Sequence, residues 1–587
     1  MTKRRPPAPA LSAWQRQAIA ELKAAARLNP DDLRISQQPV LNADGIAVLK
    51  IRMKTTDLVE GPGGLPLNDL EEFVIGITPS FFVPPHVEVE HTRFVGFPHI
   101  LQGQRLCIYL DPSREWNPVA GMTAFLNRLW QWLADAAGGK FNPSTAMYHA
   151  VGGVLHHADG TPTIVIRAPG PASKLQTAHL IERSPHRVDL SYDNADRDHL
   201  RLPVLRLETR LPFGASSTLA TLLAFIDDPY LDRLEHREPP IQPQSPGLLT
   251  VLAASASRNP NDSPQYFVLA VPHPAGGPPH LLCGRLPAPT ANALRRIAAK
   301  RGTAITIGPA SINPDILIEW CNVSDERPEV TIRRDDNRPV NGFQGKHVHV
   351  WGCGGIGSWV AEFIARAGAT HITLCDPGTI TGGLLVRQNY IEDDIGDTKA
   401  DALARRIRSI RDDLTVEIAD GMLPNDPEDI FATADIVIDA TVSIAIGQCL
   451  DALAVAPNRK ALLAQTATDT KSGTLGILTI LAPNDPTTLT ELDQSAGTYV
   501  TGSPELELYH PLWQEPLSGH ELIPTRGCSV PTFHGSAADL AAVAASLVTL
   551  LGLHLSSAVS GTHLIALPHA DDGPRHQFIP SQVAEQG

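Results

Sequence analysis

A glycine-rich loop between a short strand and a helix is the feature that most constrains the fold of this chain. His347 to Trp351 alternate in the manner of a strand, and Gly352-Cys353-Gly354-Gly355-Ile356-Gly357 follows at once. Ser358 to Gly368 then carries apolar residues at helical spacing. The next strand, His371 to Cys375, is followed by Asp376, 19 residues after Gly357. This order predicts a parallel sheet with a nucleotide bound at the loop.

Each part of this arrangement has a physical reason to hold a nucleotide. Glycines permit the tight turn and let the backbone approach a phosphate, and the start of a helix offers free N–H groups and a positive dipole. The carboxylate of Asp376 can accept a hydrogen bond from a ribose hydroxyl. Further along, Lys399 to Ile410 is predicted as a helix, and Thr415 to Ile418 and Asp435 to Asp439 as strands. Because strand and helix alternate, we expect a mostly parallel sheet covered on both faces.

Two cations and an acid favour ATP as the nucleotide. Arg387 and Lys399 come after the second strand, and Asp439 ends a later one. Ligands bind at the carboxyl ends of the strands in such sheets. Cationic groups there suit a triphosphate, because they draw negative charge off a leaving pyrophosphate. No residue pair suited to hydride transfer accompanies the loop, which disfavours an NAD-dependent oxidoreductase.

Composition excludes several broad classes of protein. The chain has 587 residues, with 48 Lys and Arg against 63 Asp and Glu, and a net charge of -15. Since proteins that neutralise phosphates are basic, nucleic acid is not expected as a partner. The seven cysteines include no CxxC pair, so we expect neither a disulfide framework nor a structural zinc site. The basic start lacks the apolar run of a signal peptide, which favours a cytoplasmic location.

One apolar stretch resembles a membrane span by hydropathy alone. Leu540 to Gly561 carries no Asp, Glu, Lys or Arg. It is rich in Ala and Ser, however, and His554 interrupts it. We therefore predict a buried helix there and no membrane partner.

The chain divides into three parts, residues 1–145, 146–335 and 336–587. The first has a predicted helix, three strands and a second helix, at Ala13 to Leu28, Ile46 to Ile51, Phe73 to Ile77, Val87 to Val95 and Met122 to Ala137. This order predicts an α+β domain. The middle part is rich in proline and short strands and has no chemical motif, so we interpret it as a β-rich structural module.

The third part resembles the ThiF/MoeB and ubiquitin-activating superfamily. The resemblance rests on the glycine loop, Asp376, Val386-Arg387-Gln388, Gly396-Asp397-Thr398-Lys399-Ala400 and Asp439-Ala440-Thr441. It implies a Rossmann-like adenylation domain that uses ATP and Mg²⁺ to adenylate the C-terminal glycine of a small β-grasp protein or a similar tail. It also implies that Asp376 holds the ribose and that Arg387 and Lys399 hold phosphates. Val442 stands where the family carries a second acid, which leaves Asp439 as the expected magnesium ligand.

The first part resembles the ubiquitin-conjugating fold. The resemblance rests on Pro84-Pro85, Phe97-Pro98-His99, Leu106-Cys107-Ile108 and Trp116-Asn117-Pro118. In that family an asparagine lies eight residues before the catalytic cysteine, and here His99 lies eight residues before Cys107. The resemblance implies that Cys107 carries the acyl group. The His99 imidazole, or backbone N–H groups in its place, then stabilises the tetrahedral oxyanion.

A second cysteine is a candidate nucleophile. Arg526-Gly527-Cys528-Ser529-Val530-Pro531 lies in a predicted loop, just before a helix that opens near Ser536. A neighbouring arginine and a helix N-terminus lower the pKa of a thiol and favour the nucleophilic thiolate. Ubiquitin-activating enzymes carry a thioester-forming cysteine C-terminal to the nucleotide site, and that resemblance implies the same role for Cys528. An ordinary loop cysteine is the alternative.

The order of conjugating part, module and activating part resembles the bacterial fusion enzymes of type II CBASS antiphage operons. It implies a conjugation enzyme whose donor is the C-terminus of a cGAS/DncV-like nucleotidyltransferase. The implied route is adenylation, a thioester at Cys528, transfer to Cys107 and ligation to a lysine amine of a target. The family also implies a homodimer. Two alternatives are an adenylyltransferase for a sulfur-carrier or other ubiquitin-like protein, and a non-catalytic nucleotide-binding scaffold.

Overall fold

The computed structural model describes residues 10–581, and the chain divides into two units, Met1–Ile332 and Arg333–Gly587. Its description leaves out residues 92, 95, 102–104, 142–159, 194–198, 212–217, 228–246, 274–275, 302–312, 314–315, 332–334, 420–432, 442, 456–458 and 515–534. Each unit is taken by itself below.

The first unit begins with an α+β fold. Its elements are α1 (Ala13–Leu28), β1 (Leu33–Leu41), β2 (Ala47–Lys54), β3 (Leu70–Ile77), β4 (His86–Glu88), β5 (Ile100–Leu101), β6 (Arg105–Leu106), α2 (Pro112–Glu115) and α3 (Gly121–Ala137). The strands form an antiparallel sheet in the order β1-β2-β3-β4-β6-β5. Ser12 caps α1 by accepting from the N–H of Gln15, and Leu22, Phe73 and Phe125 share one core between the sheet and the two long helices.

The sequence predicted α1 to the residue, but it was wrong about the strand from Val87 to Val95. Pairing ends at Glu88, after three residues. Beyond it Arg93 turns back toward the sheet, and its Nη2 donates to Glu71 Oε2 at 2.8 Å. Glu71 is buried, and a buried carboxylate requires a paired cation. The chain therefore leaves the sheet after Glu88 and forms this long-range ion pair. The local alternation of apolar and polar residues gives no sign of it.

The middle of the first unit is β-rich, as predicted, and its described residues also form three helices. Its elements are β7 (Thr163–Ile166), β8 (Leu175–Ser184), β9 (Arg187–Ser191), β10 (Leu200–Arg206), α4 (Leu219–Asp227), α5 (Leu248–Ala256), β11 (Gln265–Val271), β12 (His280–Leu286), α6 (Ala288–Arg301), β13 (Glu319–Cys321) and β14 (Val323–Asp325). The eight strands form one mixed sheet in the order β13-β12-β11-β10-β8-β9-β7-β14. Strand β11 is buried at every position, so its sequence is almost continuously apolar.

The second unit is a largely parallel sheet with helices on both faces. Its elements are β15 (His347–Trp351), α7 (Gly357–Ala367), β16 (His371–Cys375), α8 (Lys399–Ile410), β17 (Thr415–Ile418), β18 (Ile436–Asp439), α9 (Ile444–Ala454), β19 (Leu462–Thr468), β20 (Leu475–Leu481), α10 (Leu489–Thr501), α11 (Ala537–Ser556), β21 (Gly561–Ala566) and β22 (His576–Pro580). The order is β17-β16-β15-β18-β19-β20-β21-β22, parallel from β17 to β19 and antiparallel beyond. One core packs α7, α8 and α11 on the sheet, and another packs α9 and α10. The predicted sheet covered on both faces is confirmed.

The helix α11 is long and apolar enough to cross a membrane by length and composition, with a mean hydropathy of 1.8. Leu540, Leu547 and Leu551 of this helix lie in the core against the sheet. The prediction of a buried helix is thus confirmed from Leu540 to Ser556, but it was wrong beyond that point, because the helix ends at Ser556 and Gly561 begins β21.

Candidate nucleotide and thiol sites

The glycine loop joins β15 to α7 at the carboxyl end of the parallel strands. Gly352 has a φ of +86°, and a Cβ there would lie 2.8 Å from the carbonyl oxygen of Ala440. A Cβ on Gly357 would collide with the carbonyl oxygen of Gly352, whereas one on Gly354 would meet no atom within 4 Å. The turn and the packing therefore require glycine at two positions. Gly354 borders open space just ahead of α7, where an anion is favoured, and Gly355 beside it is partly exposed.

Asp376 ties this loop to the end of the neighbouring strand. Its Oδ2 accepts from the backbone N–H of Cys353 at 2.7 Å, and its Oδ1 accepts from the N–H of Gly378 at 2.7 Å. Lys399 Nζ lies 3.8 Å from Oδ2. Since a carboxylate has about four acceptor positions, Asp376 keeps acceptor capacity beyond these two bonds. The structure thus brings the predicted ribose acceptor and one predicted phosphate ligand to the glycine loop.

The segment that carries Arg387 is bonded directly onto the loop and its helix. Trp359 Nε1 donates to the carbonyl oxygen of Arg387 at 3.2 Å, and the N–H of Asn389 donates to Ser358 Oγ at 3.1 Å. The Tyr390 hydroxyl donates to the carbonyl oxygen of Cys353 at 2.7 Å. Arg387 is only 7 % exposed, and burial lowers the pKa of its guanidinium. The segment bonded to the loop and its helix thus carries a largely buried cation.

Asp439 lies at the carboxyl end of β18, in register with Trp351 of β15 and Gln465 of β19. Its Oδ1 accepts from the N–H of Thr441 at 2.8 Å and its Oδ2 from Gln465 Nε2 at 3.1 Å. The residue is 0 % exposed, and burial raises the pKa of its carboxyl although hydrogen bonds from Thr441 and Gln465 oppose the change.

The carboxylate of Asp439 is a ligand of the kind that magnesium prefers. Mg²⁺ is commonly held by one or two carboxylates together with substrate phosphates and water. Within the described ranges no group of three or more His, Cys, Asp or Glu side chains is placed to hold a metal ion. Asp439 would therefore contribute a single carboxylate ligand to the ion, once the hydrogen bond from the Gln465 amide is broken. Val442, where the family has its second acid, lies outside the described residues.

Cys107 and His99 meet at the open end of the hairpin formed by β5 and β6. The N–H of Cys107 donates to the carbonyl oxygen of His99 at 2.9 Å. His99 has a φ of +64°, and its ring lies 4.6 Å from the ring of Phe141, centroid to centroid. Burial, followed by the charge of Arg128, lowers the pKa of His99. The imidazole is therefore neutral at pH 7, and a neutral ring has one N–H to donate.

The thiol of Cys107 is protonated in this environment. Burial and then the carboxylate of Glu115 raise its pKa, against smaller opposing effects of Arg105 and Arg128. Its Sγ donates to the carbonyl oxygen of Tyr109 at 3.4 Å. The resting site thus holds the neutral thiol, and the nucleophilic thiolate forms only when a base or a higher pH removes the proton.

The other predicted nucleophile, Cys528, lies outside the described residues together with Arg526. The chain resumes before α11, where Ser536 Oγ accepts from the N–H of Asp539 at 3.1 Å. The N–H of Ala537 donates to the carbonyl oxygen of Val386 at 2.7 Å. The helix that follows the Cys528 segment therefore begins beside the residue that precedes Arg387.

Sequence reasoning missed the polar residues that support these sites. Asn389 and Tyr390 follow Arg387 closely in the chain, and their proximity was a usable signal. Gln465 lies in β19, 26 residues from Asp439. No local pattern marks Gln465, because only strand pairing brings it to the acid.

Comparison with known families agrees with this architecture part by part. The ThiF family matches residues 341–559, the Cap2 central linker domain matches 197–326, and prokaryotic E2 family A matches 20–160. All three occur in one chain, in the order predicted. The chain is an E2-like and ThiF fusion of the CBASS type II kind. The fusion thus has a ubiquitin-conjugating-like fold first and a ThiF domain last.

Curated relatives match over a short stretch. The fusion is 35 % identical over 97 residues to the tRNA threonylcarbamoyladenosine dehydratase of Escherichia coli, covering 16 % of this chain and 36 % of that protein. It is 28 % identical over 96 residues to the SAMP-activating enzyme E1 of Haloferax volcanii, covering 16 % of this chain and 36 % of that protein. The chain therefore spans about a third of the length of these relatives.

Solved structures show a distant likeness. Escherichia coli MccB with ATP aligns at a TM-score of 0.29 and 16 % identity, covering 41 % of this chain and 66 % of that chain. PaaA aligns at 0.30 and 17 % identity, covering 42 % of this chain and 77 % of that chain. Likenesses at this level carry no functional argument.

Proposed function

We propose that the fusion uses ATP to activate the C-terminal carboxylate of a donor protein and then ligates that donor to an amine. The observation that carries the proposal is the assembly of the glycine loop, Asp376, the Arg387 segment and Lys399 at the carboxyl ends of two adjacent strands. The ThiF match and the similarity to a SAMP-activating enzyme support an activating function.

In the first step the donor carboxylate attacks the α-phosphate of ATP, and pyrophosphate leaves. Backbone N–H groups of the glycine loop ahead of α7 hold phosphate oxygens, and Arg387 and Lys399 offset the charge that develops on the leaving group. Mg²⁺ would supply further charge neutralisation at the phosphates, with Asp439 as its protein ligand.

In the later steps the acyl group passes between sulfurs. The Cys528 sulfur displaces AMP and forms a thioester. The Cys107 sulfur then displaces Cys528, and Cys107 gives its proton to a base as the new bond forms. A target lysine amine finally displaces Cys107 and yields a stable amide. His99 donates to the oxyanion of the last tetrahedral intermediate.

The match to the Cap2 central linker domain supports a donor from the CBASS setting, namely a cGAS/DncV-like nucleotidyltransferase with a C-terminal glycine. The similarity to a SAMP-activating enzyme favours a second candidate, a small ubiquitin-like protein. We also propose a homodimer and a cytoplasmic location. The ThiF match supports the dimer.

The test is pyrophosphate–ATP exchange with each candidate donor, and with the same donor lacking its last residue. Exchange should require the intact tail. Arg387→Ala should slow it at least about tenfold, since removing one charge-stabilising donor commonly costs about 10²–10³ in rate. Asp439→Asn should slow it as well, while Lys471→Ala, an exposed lysine, should leave it unchanged. A chain that binds ATP but catalyses no exchange with any of these donors would leave only the scaffold alternative.

A further inference from the structure

Glu362 lies on α7 with its carboxylate at the centre of a buried ionic network. The residue is 5 % exposed. Its Oε2 accepts from Asn389 Nδ2 at 2.6 Å and from Arg406 Nε at 2.6 Å. Its Oε1 accepts from Arg366 Nε at 2.9 Å and Nη2 at 2.8 Å. Burial alone would raise the pKa of Glu362, but the hydrogen bonds from Arg406, Asn389 and Arg366 outweigh it and lower the pKa.

The partners of Glu362 belong to the elements that carry the predicted nucleotide ligands. Asn389 lies two residues after Arg387, and its backbone is bonded to Ser358 at the start of α7. Arg406 lies on α8, the helix that begins at Lys399. Glu362 itself is on the helix that the glycine loop opens. One carboxylate therefore joins the loop helix, the Arg387 segment and the Lys399 helix.

We propose that Glu362 is a positioning residue of the nucleotide site, which fixes Arg387 and Lys399 relative to the glycine loop. The inference rests on the proposed function, because it takes those residues to be nucleotide ligands. Charge-assisted hydrogen bonds in a buried setting are short and directional, so they set the distances between the elements that they connect. The three elements carry separate predicted ligands, so a shift of one element relative to another weakens the combined grip on the phosphates.

The competing interpretation is an ion pair that only stabilises the fold. The chain offers a matched control for it. Arg366 also bonds Glu362, but it lies four residues away on the same helix and is 55 % exposed, so this contact joins no second element. If Glu362 only stabilises the fold, removing the Asn389 side chain and removing the Arg366 side chain should have similar effects on ATP binding. If Glu362 is a positioning residue, only the loss of Asn389, which joins two elements, should weaken ATP binding.

The experiment measures the dissociation constant of ATP by calorimetry on the full chain with MgCl₂, alongside the thermal unfolding midpoint. We expect Glu362→Gln and Asn389→Ala to weaken ATP binding at least tenfold, and Arg366→Ala to change it less than twofold. In the Arg387→Ala background, Glu362→Gln should weaken ATP binding by a smaller factor than it does in the wild type, because the part of its effect that acts through Arg387 is already lost. If Glu362→Gln does not fold, ATP binding by Asn389→Ala still tests the inference.

The outcomes separate this inference from the proposed function. ATP binding at the wild-type level in both Glu362→Gln and Asn389→Ala overturns the inference. Full additivity with Arg387→Ala also overturns it. A wild-type chain that binds ATP but shows no donor-dependent exchange overturns the proposed function, while the binding comparison still decides the role of Glu362. A wild-type chain that binds no ATP overturns both.

Discussion

Cys107 and His99 are backbone neighbours across the end of a hairpin, joined by a hydrogen bond of 2.9 Å from the Cys107 N–H to the His99 carbonyl oxygen. The bond continues the ladder in which Ile100 pairs with Leu106. His99 reaches this position with a φ of +64°, a left-handed conformation that is uncommon outside glycine and in which asparagine, aspartate and histidine are enriched. The turn thus places His99 directly across the hairpin from Cys107, on a backbone that glycine or asparagine could also adopt.

The first prediction separates the ring of His99 from its backbone conformation. His99→Gly keeps the left-handed φ without strain but removes the N–H donor, so acyl transfer from Cys107 to an amine should slow about 10²–10³-fold. His99→Asn should retain most of the rate, since asparagine tolerates this φ and can donate. Single-turnover transfer from preloaded Cys107 measures both. A glycine variant as fast as wild type would make His99 a turn residue only.

The second prediction concerns the pH dependence of the Cys107 thiol. Because burial and Glu115 raise its pKa, the thiol should react with iodoacetamide through a midpoint above that of a free cysteine, about 8.5. Glu115→Gln removes a nearby negative charge and should move the midpoint downward. Mass spectrometry of the Cys107 peptide, labelled over a pH series, gives the midpoint. A value below that of free cysteine would contradict the buried, protonated resting state.

The third prediction is the order of the two nucleophiles. With ATP and donor, Cys107→Ala should still form a thioester that reducing agent cleaves, because Cys528 is intact, but no amide should follow. Cys528→Ala should retain pyrophosphate exchange, since no thiol takes part in adenylation, and should load neither cysteine. Cys107→Lys should trap the donor as an amide that resists reduction. Gel shifts with and without reductant report each product.

Controls for the cysteine series come from the same chain. Cys449→Ala, at a half-buried cysteine on α9, should behave like wild type at every step. If Cys528→Ala loads Cys107 at the wild-type rate, transfer runs directly from the adenylate and the thioester at Cys528 is not an intermediate. Pyrophosphate–ATP exchange measures the adenylation step separately. The proposal of ATP-dependent adenylation and the proposal of a thioester at Cys528 can therefore fail independently.

The fourth prediction is a loss of stability in acid that arises at three histidines. His563 Nε2 lies 2.8 Å from His554 Nε2, and its Nδ1 lies 3.0 Å from His576 Nε2. Burial, then His554 and His576, lower the pKa of His563 to about 3. A histidine with a lowered folded pKa contributes its full stability above the unfolded value of about 6.5 and loses it as pH falls toward the folded value.

Thermal unfolding of the full chain at pH 7.5, 6 and 5 should therefore show stability declining as the pH falls through about 6.5, by at most roughly 1.4 kcal/mol per pH unit from this group. His563→Gln should flatten the decline, whereas His186→Gln, at an exposed position, should not. An unchanged slope in His563→Gln would show that other groups control the acid response.

Much of the nucleotide domain was predictable, because its signals are local. The bounds of β15, β16 and α8 follow from side-chain periodicity and from the turn residues that flank them. The extent of β4 was not predictable. The alternating residues after Glu88 resemble a strand, but Arg93 pairs with the buried Glu71, 22 residues away, and the chain leaves the sheet.

By itself the sequence determined the candidate residues for the chemistry, because a glycine loop, a strand-end acid and a cysteine in a characteristic setting depend on short spacings. Only the tertiary structure decided how those residues are held. Glu362 meets Arg406 44 residues away, and Asp439 meets Gln465 26 residues away. Such contacts arise from the packing of helices on one sheet and from the register of its strands. The energy of a buried charge depends on those distant partners, which no local pattern encodes.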